Sequence, residues 1–138
     1  MKVVVIDGQG GRLGRMLVQT ARKSLPTAEI IAVGTNSVAT DAMMKGGADH
    51  GATGENAVRV NCRQADLILG PIGIVLADAL YGEVTAAMAS CVGASEAHRI
   101  LLPVSRCGTT VVGAQESNMA RLLEMTERLI ADWAREQG

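Results

Sequence analysis

The chain has 138 residues, 48% of them hydrophobic and 1% aromatic, with a formal net charge of −1. This length is expected to hold one domain and no separate substrate domain, so a substrate site would have to use the same loops or a neighbouring subunit. No basic cluster marks a nucleic-acid partner, and no apolar run approaches the length of a membrane span.

Val3-Val4-Val5-Ile6 is a continuous β-branched run, the pattern of a parallel strand covered on both faces. Asp7-Gly8-Gln9-Gly10-Gly11-Arg12-Leu13-Gly14 stops it, because so many glycines cannot continue a strand. Leu13, Met16, Leu17 and Thr20 recur at helical spacing up to Ser24-Leu25-Pro26, where the first helix should end. Glu29-Ile30-Ile31-Ala32-Val33 reads as the second strand, and Ser37 as the cap of a short helix that Gly46-Gly47 terminates.

Residues 48–54 could hold a short third strand, after which Thr53 could cap a helix over 55–64. Asp66-Leu67-Ile68-Leu69 is a further buried strand, with Gly70-Pro71-Ile72-Gly73 as its turn. Helices are expected over 74–80 and 85–91, then a strand at Arg99-Ile100-Leu101-Leu102-Pro103-Val104 and a short last one at Thr110-Val111-Val112. The closing helix is the clearest: Met119, Leu122, Leu123, Thr126, Leu129, Ile130 and Trp133 share one face. Strands alternating with helices predict a single α/β domain, a doubly wound and mostly parallel sheet with helices on both faces, of Rossmann-like type.

The glycine-rich turn carries the functional expectation. A strand turning at once into a helix leaves the first helical N–H groups unpaired at the positive end of the helix dipole. Glycines allow positive φ and let an anion approach without meeting a Cβ. The spacing here is G-x-x-G-x-x-G, from Gly8 through Gly11 to Gly14 with Gly10 extra, and not the dinucleotide fingerprint G-x-G-x-x-G. The run Gly10-Gly11-Arg12-Leu13-Gly14-Arg15 is similar to the nucleotide loop of dihydrodipicolinate reductases, and that resemblance implies a reduced nicotinamide cofactor. Two features oppose a dinucleotide. After the second strand comes Val33-Gly34-Thr35-Asn36-Ser37, with no acid to grip a ribose, and Asp7 places a carboxylate directly before the loop.

Taken whole, the chain resembles an uncharacterised bacterial family, a domain of unknown function. The resemblance rests on Val3-Val4-Val5-Ile6-Asp7-Gly8-Gln9-Gly10-Gly11, Gly34-Thr35-Asn36-Ser37 and Gly51-Ala52-Thr53-Gly54-Glu55-Asn56, and on Gly70-Pro71-Ile72-Gly73-Ile74 and Gly82-Glu83-Val84-Thr85. It implies a Rossmann-like fold and no particular reaction.

Ligands of doubly wound sheets bind outside the carboxyl ends of the strands. The segments 7–14, 34–37, 70–73 and 105–109, with 53–56, are therefore expected to surround one pocket. The binding residues so assigned are Asp7, Gly8, Gln9, Gly10, Gly11, Arg12, Leu13, Gly14, Thr35, Asn36, Ser37, Glu55, Asn56, Gly70, Pro71, Ile72 and Gly73. Asp7 could meet a ligand or metal, or pair locally with Arg12 or loop N–H groups. Glu55 and Glu83 each stand near a helix start, where the dipole alone explains a carboxylate. Gly11→Val is expected to remove ligand binding and leave the domain folded.

Cys62, Cys91 and Cys107 fit neither a disulfide framework nor a zinc site, and the natural compartment is a reducing cytoplasm. Met1 and Lys2 lead straight into a strand, leaving no room for a signal peptide. Neither a Ser/His/Asp set nor metal-ligand spacing stands out, so no catalytic residue and no metal are assigned. The expected ligand is a nucleotide, NAD(P) among them, or a small phosphorylated molecule. The high apolar content suggests a homodimer.

Overall fold

The computed structural model describes residues 1–104, 108–115 and 118–138. Five parallel strands, β1 (Lys2–Asp7), β2 (Glu29–Gly34), β3 (His50–Thr53), β4 (Leu67–Pro71) and β5 (His98–Leu102), form one sheet in the order β3-β2-β1-β4-β5. The helices between and after them are α1 (Arg12–Ser24), α2 (Ser37–Lys45), α3 (Glu55–Gln64), α4 (Ala86–Ala94) and α5 (Met119–Gln137). The order reverses at β1, so the chain winds outward in both directions from the central strand, as in Rossmann-like folds.

Alternation along β1 divides the core. Val3 and Val5 point into a cluster with Leu17, Val18, Met43, Leu122, Ile130 and Trp133, which belongs to α1, α2 and α5. Val4 and Ile6 point the other way, toward Val58, Cys62, Ile74, Met88 and Val92, on and around α3 and α4. Both faces are therefore apolar, and the uninterrupted Val/Ile/Leu runs of β1 and β4 follow from that double burial.

The elements begin and end for local reasons. Asn36 caps α2, its side chain accepting from the Ala39 amide at 2.8 Å, so the cap lies one residue before the expected Ser37. Gly54 and not Thr53 occupies the cap position of α3; the Thr53 hydroxyl pairs with that of Thr40 at 2.7 Å. Thr85 caps α4 by accepting from the Met88 amide.

Two expected elements are absent. The helix over 74–80 is replaced by a 3-10 turn, Ile72–Val75, and a loop in which Asp78, Leu80 and Tyr81 take positive φ. The Asp78 amide donates to the Val84 carbonyl at 2.7 Å, and Leu80 is buried; closing this loop over the sheet replaces helical continuation. Thr110-Val111-Val112 forms no strand. The run lies between Gly108 and Gly113, both at positive φ, and Val112 is 96% exposed, so it has no face to bury. Among the described residues, no helix is long and apolar enough to cross a membrane.

Candidate functional site

The carboxyl end of β1 leads into the glycine loop, residues 8–11, and then into α1. Gln9 and Gly11 adopt left-handed backbone, φ 54° and 74°. Gly11 is the N-cap of α1 and has no side chain to serve the first-turn amides. Asp7 takes over part of that role from the strand: its Oδ1 accepts the Gly8 N–H at 2.8 Å, and its Oδ2 the Gly14 N–H at 2.7 Å. Asp7 is 6% exposed. Burial raises its pKa, the two amide bonds oppose that rise, and the nearby charge of Glu83 adds to it. Of the two roles open to Asp7 in the sequence, its visible contacts are the local pairing with loop N–H groups. Arg12 is exposed.

The loop is thus partly closed from within. The Gly11 amide donates to the Gly8 carbonyl at 3.0 Å, and the Gln9 amide to Glu83 Oε1 at 2.9 Å. The amides of Gly10, Arg12 and Leu13 have no acceptor among the described residues. The first turn of α1 therefore keeps its two leading amides open and loses the third, Gly14, to Asp7.

The glycines separate by cause. A Cβ at Gly14 would lie 2.6 Å from Met43 Sδ, and one at Gly8 2.5 Å from Thr35 Oγ1. At Gly11 it would come within 2.7 Å of the Ala39 carbonyl oxygen, on a backbone already at positive φ. These three are required by packing, and Gly11→Val would disrupt the fold together with any binding. Gly10 differs: nothing lies within 4 Å of its Cβ position, and its φ is not in the left-handed region. Neither conformation nor packing accounts for it.

A cleft of about 430 Å³ opens over this loop. Residues 7–13 form its floor, and Met16, Leu80, Val104 and Met119 its apolar walls. A larger cleft, about 840 Å³, is lined by Arg59, Arg63, Asp66, Cys91, His98 and Trp133, among others. It lies at the amino ends of β4 and β5, the opposite end of the sheet from the glycine loop.

Of the other expected site residues, Thr35 and Asn36 come to the loop. Asn36 Nδ2 donates to the Gln9 carbonyl at 3.0 Å, and both side chains donate to Glu83. Ser37 starts α2 behind them. Glu55 and Asn56 open α3, and Glu55 Oε1 accepts the Thr85 hydroxyl at 2.6 Å. Gly70 and Pro71 are buried at the end of β4, a Cβ on Gly70 lying 2.6 Å from the Ile6 carbonyl oxygen, and Ile72 and Gly73 form the 3-10 turn. None of these last six lines the glycine-loop cleft, and neither do Thr35, Asn36 and Ser37. Residues 105–107, including Cys107, lie outside the described residues.

Glu83 is the residue that sequence reasoning underrated. It does not cap α4, which Thr85 does. Its carboxylate collects four donors from the Gln9 amide, the Gln9 side chain, Thr35 and Asn36. Burial pushes its pKa up, but those hydrogen bonds together outweigh burial and hold it below the ordinary carboxylate value. The signal was the Gly82-Glu83 pair after a glycine-flanked apolar run, which can be read equally well as a helix boundary. Among the described residues no cluster of three or more His, Cys, Asp and Glu side chains could hold a metal.

Residues 2–135 match the family model described as Domain of unknown function (DUF3842), and the chain belongs to that family. No curated protein and no solved structure matches it.

Proposed function

We propose that this domain is a binding or sensor module for a nucleotide or another phosphorylated metabolite, held at the start of α1. The observation that carries this reading is the set of acceptor-free amides at Gly10, Arg12 and Leu13, which border an apolar-walled cleft. A phosphate placed there would accept from backbone N–H groups at the positive end of a 13-residue helix. The exposed guanidinium of Arg12 would add a charge-assisted contact. Gly10 fits the same role, since a side chain there would project into open space over the loop. The ligand's apolar or ring portion would lie against Leu13, Met16, Val104 and Met119. Asp7 directs its two oxygens to the Gly8 and Gly14 amides and so leaves the other leading amides open, while its charge counts against a multiply ionised group.

A second reading is an NAD(P)-dependent oxidoreductase whose active site is completed across a homodimer. The strand order β3-β2-β1-β4-β5 with a glycine turn after β1 favours it, as does the reductase-like run from Gly10 to Arg15. Exposed Met125 and Leu129, one turn apart on α5, would suit the partner face of such a dimer. Against it, β2 ends in Gly34 with no acid for a ribose following it. The mononucleotide or phosphometabolite module is therefore preferred.

Thermal-shift measurements with NAD, NADP, ATP, coenzyme A and sugar phosphates test both readings. The preferred one predicts stabilisation by a mononucleotide or sugar phosphate that Gly10→Val removes. Stabilisation by a nicotinamide cofactor with hydride-transfer turnover selects the second reading, and silence across the set overturns both.

A further inference from the structure

Glu83 lies outside every strand and helix, yet its carboxylate is held beside the carboxyl ends of β1 and β2. Oε1 accepts from the Gln9 amide at 2.9 Å, the Thr35 hydroxyl at 2.8 Å and Asn36 Nδ2 at 2.7 Å, and Oε2 accepts from Gln9 Nε2 at 2.7 Å. All four donors are neutral, and all come from the glycine loop and the turn after β2, not from the segment that carries Glu83. Neutral N–H and O–H groups converging on one pair of oxygens make a cradle for an oxyanion, stabilising charge without a countercharge.

The carrier segment follows an unfavourable path to deliver that carboxylate. Asp78, Leu80 and Tyr81 have φ of 66°, 57° and 56°, and Gly82 follows at 87°. L-residues rarely adopt this region, and three in four positions form a concentration that surrounding contacts must hold. The inner contacts are evident: Leu80 is buried against Gly8, and Glu83 sits in the cradle. Tyr81 at the tip is 97% exposed and contributes little to them. Glu83 is thus the polar latch of a strained strap, residues 76–84, lying across the rim of the glycine loop.

We infer that the Gln9–Thr35–Asn36 cradle is an oxyanion subsite for a carboxylate or phosphoryl group, filled by Glu83 in this state and taken over by a ligand's anionic group when the strap withdraws. This rests on the reading above for the place of the ligand, and adds that the ligand carries a second anionic group reaching the end of β2. The exchange is one oxyanion for another on the same donors, so it needs no change in the cradle.

The test is Glu83→Ala in the full chain, titrated with inorganic phosphate and, separately, with acetate, while Tm is followed. The variant is expected to gain a saturable rise in Tm with at least a ten-fold lower apparent Kd than wild type for one of the two probes. Thr35→Ala in the Glu83→Ala background is expected to abolish the gain, and Gly10→Val in that background to leave it. A response to acetate alone identifies a carboxylate site, and one to phosphate a phosphoryl site. No gain over wild type with either probe overturns the inference, as does a gain that survives Thr35→Ala.

Should Glu83→Ala fail to fold, Glu83→Gln keeps one acceptor oxygen but presents an amide nitrogen to the remaining donors. It is expected to bind a probe more tightly than wild type and to be cut faster by chymotrypsin at Tyr81; no change in either overturns the inference. A wild type silent to the ligand panel with a responsive Glu83→Ala sinks the loop reading alone. The reverse pattern sinks the subsite alone.

Discussion

Asp7 and Gly14 stand on different elements, yet Asp7 Oδ2 accepts the Gly14 N–H at 2.7 Å and ties the end of the central strand to the first turn of the helix that follows. The other oxygen holds Gly8, so one buried carboxylate fixes both ends of the glycine loop. Asp7→Ala leaves two N–H groups without acceptors, at about 1–3 kcal/mol for each that is buried. Relief of a desolvated charge offsets part of this, and the expected net loss is about 2 kcal/mol or more. Urea denaturation measures it, and a loss below about 0.5 kcal/mol would show that the carboxylate does not organise the loop.

The glycines give a paired prediction. Alanine in a helix is ordinarily favoured over glycine by about 1 kcal/mol. At Gly14, however, the new Cβ would overlap Met43 Sδ at 2.6 Å and Asp7 Cβ at 2.7 Å, so Gly14→Ala is expected to destabilise. The net loss should be about 1–2 kcal/mol. Gly10→Ala meets nothing within 4 Å and should leave stability unchanged within about 0.5 kcal/mol, while weakening any phosphate ligand. If the two variants have the same stability, the division of the loop into packed and open glycines is wrong.

Glu83 and Asp7 respond to acid in opposite senses. The folded-state pKa of Glu83 is depressed, so its contribution is fully present above its ordinary value of 4.5 and is lost as pH falls through the folded value. The pKa of Asp7 is raised, so its charged form is the unfavourable one, and acid relieves that cost. Glu83→Gln should lower the urea midpoint most near neutral pH, and the gap to wild type should narrow below pH 4.5. A gap that stays constant into acid would mean that the charge of Glu83 plays no part in holding the strap.

The parts of the fold visible in the sequence were those set by local chemistry. The apolar runs of β1 and β4, the helix after the glycine turn and the amphipathic stripe of α5 each follow from periodicity or composition within a short window, although Leu129, assigned to that stripe, is exposed. What escaped was tertiary. Residues 74–80 contain Leu76 and Leu80 at helical spacing, but Leu80 is used against Gly8, a contact to the first loop of the chain. Thr110-Val111-Val112 has strand-forming residues and no buried face to receive them.

The candidate site divided in the same way. The Gly8–Gly14 turn was legible because so dense a run of glycines after an apolar run cannot continue a strand. That Asp7 would be spent on Gly8 and Gly14, and that Glu83 would bridge Gln9, Thr35 and Asn36, depends on pairings of up to 74 residues' separation that no motif encodes.

Whether a negatively charged group rests on the leading amides of α1 is read most directly from backbone amide chemical shifts during titration of the isotopically labelled protein with AMP and with inorganic phosphate. Saturable shifts are expected at Gly10, Arg12 and Leu13, with the Gly14 amide, held by Asp7, moving much less. Shifts confined to the Arg59 and Arg63 end of the sheet, or none at the glycine loop, would contradict that placement.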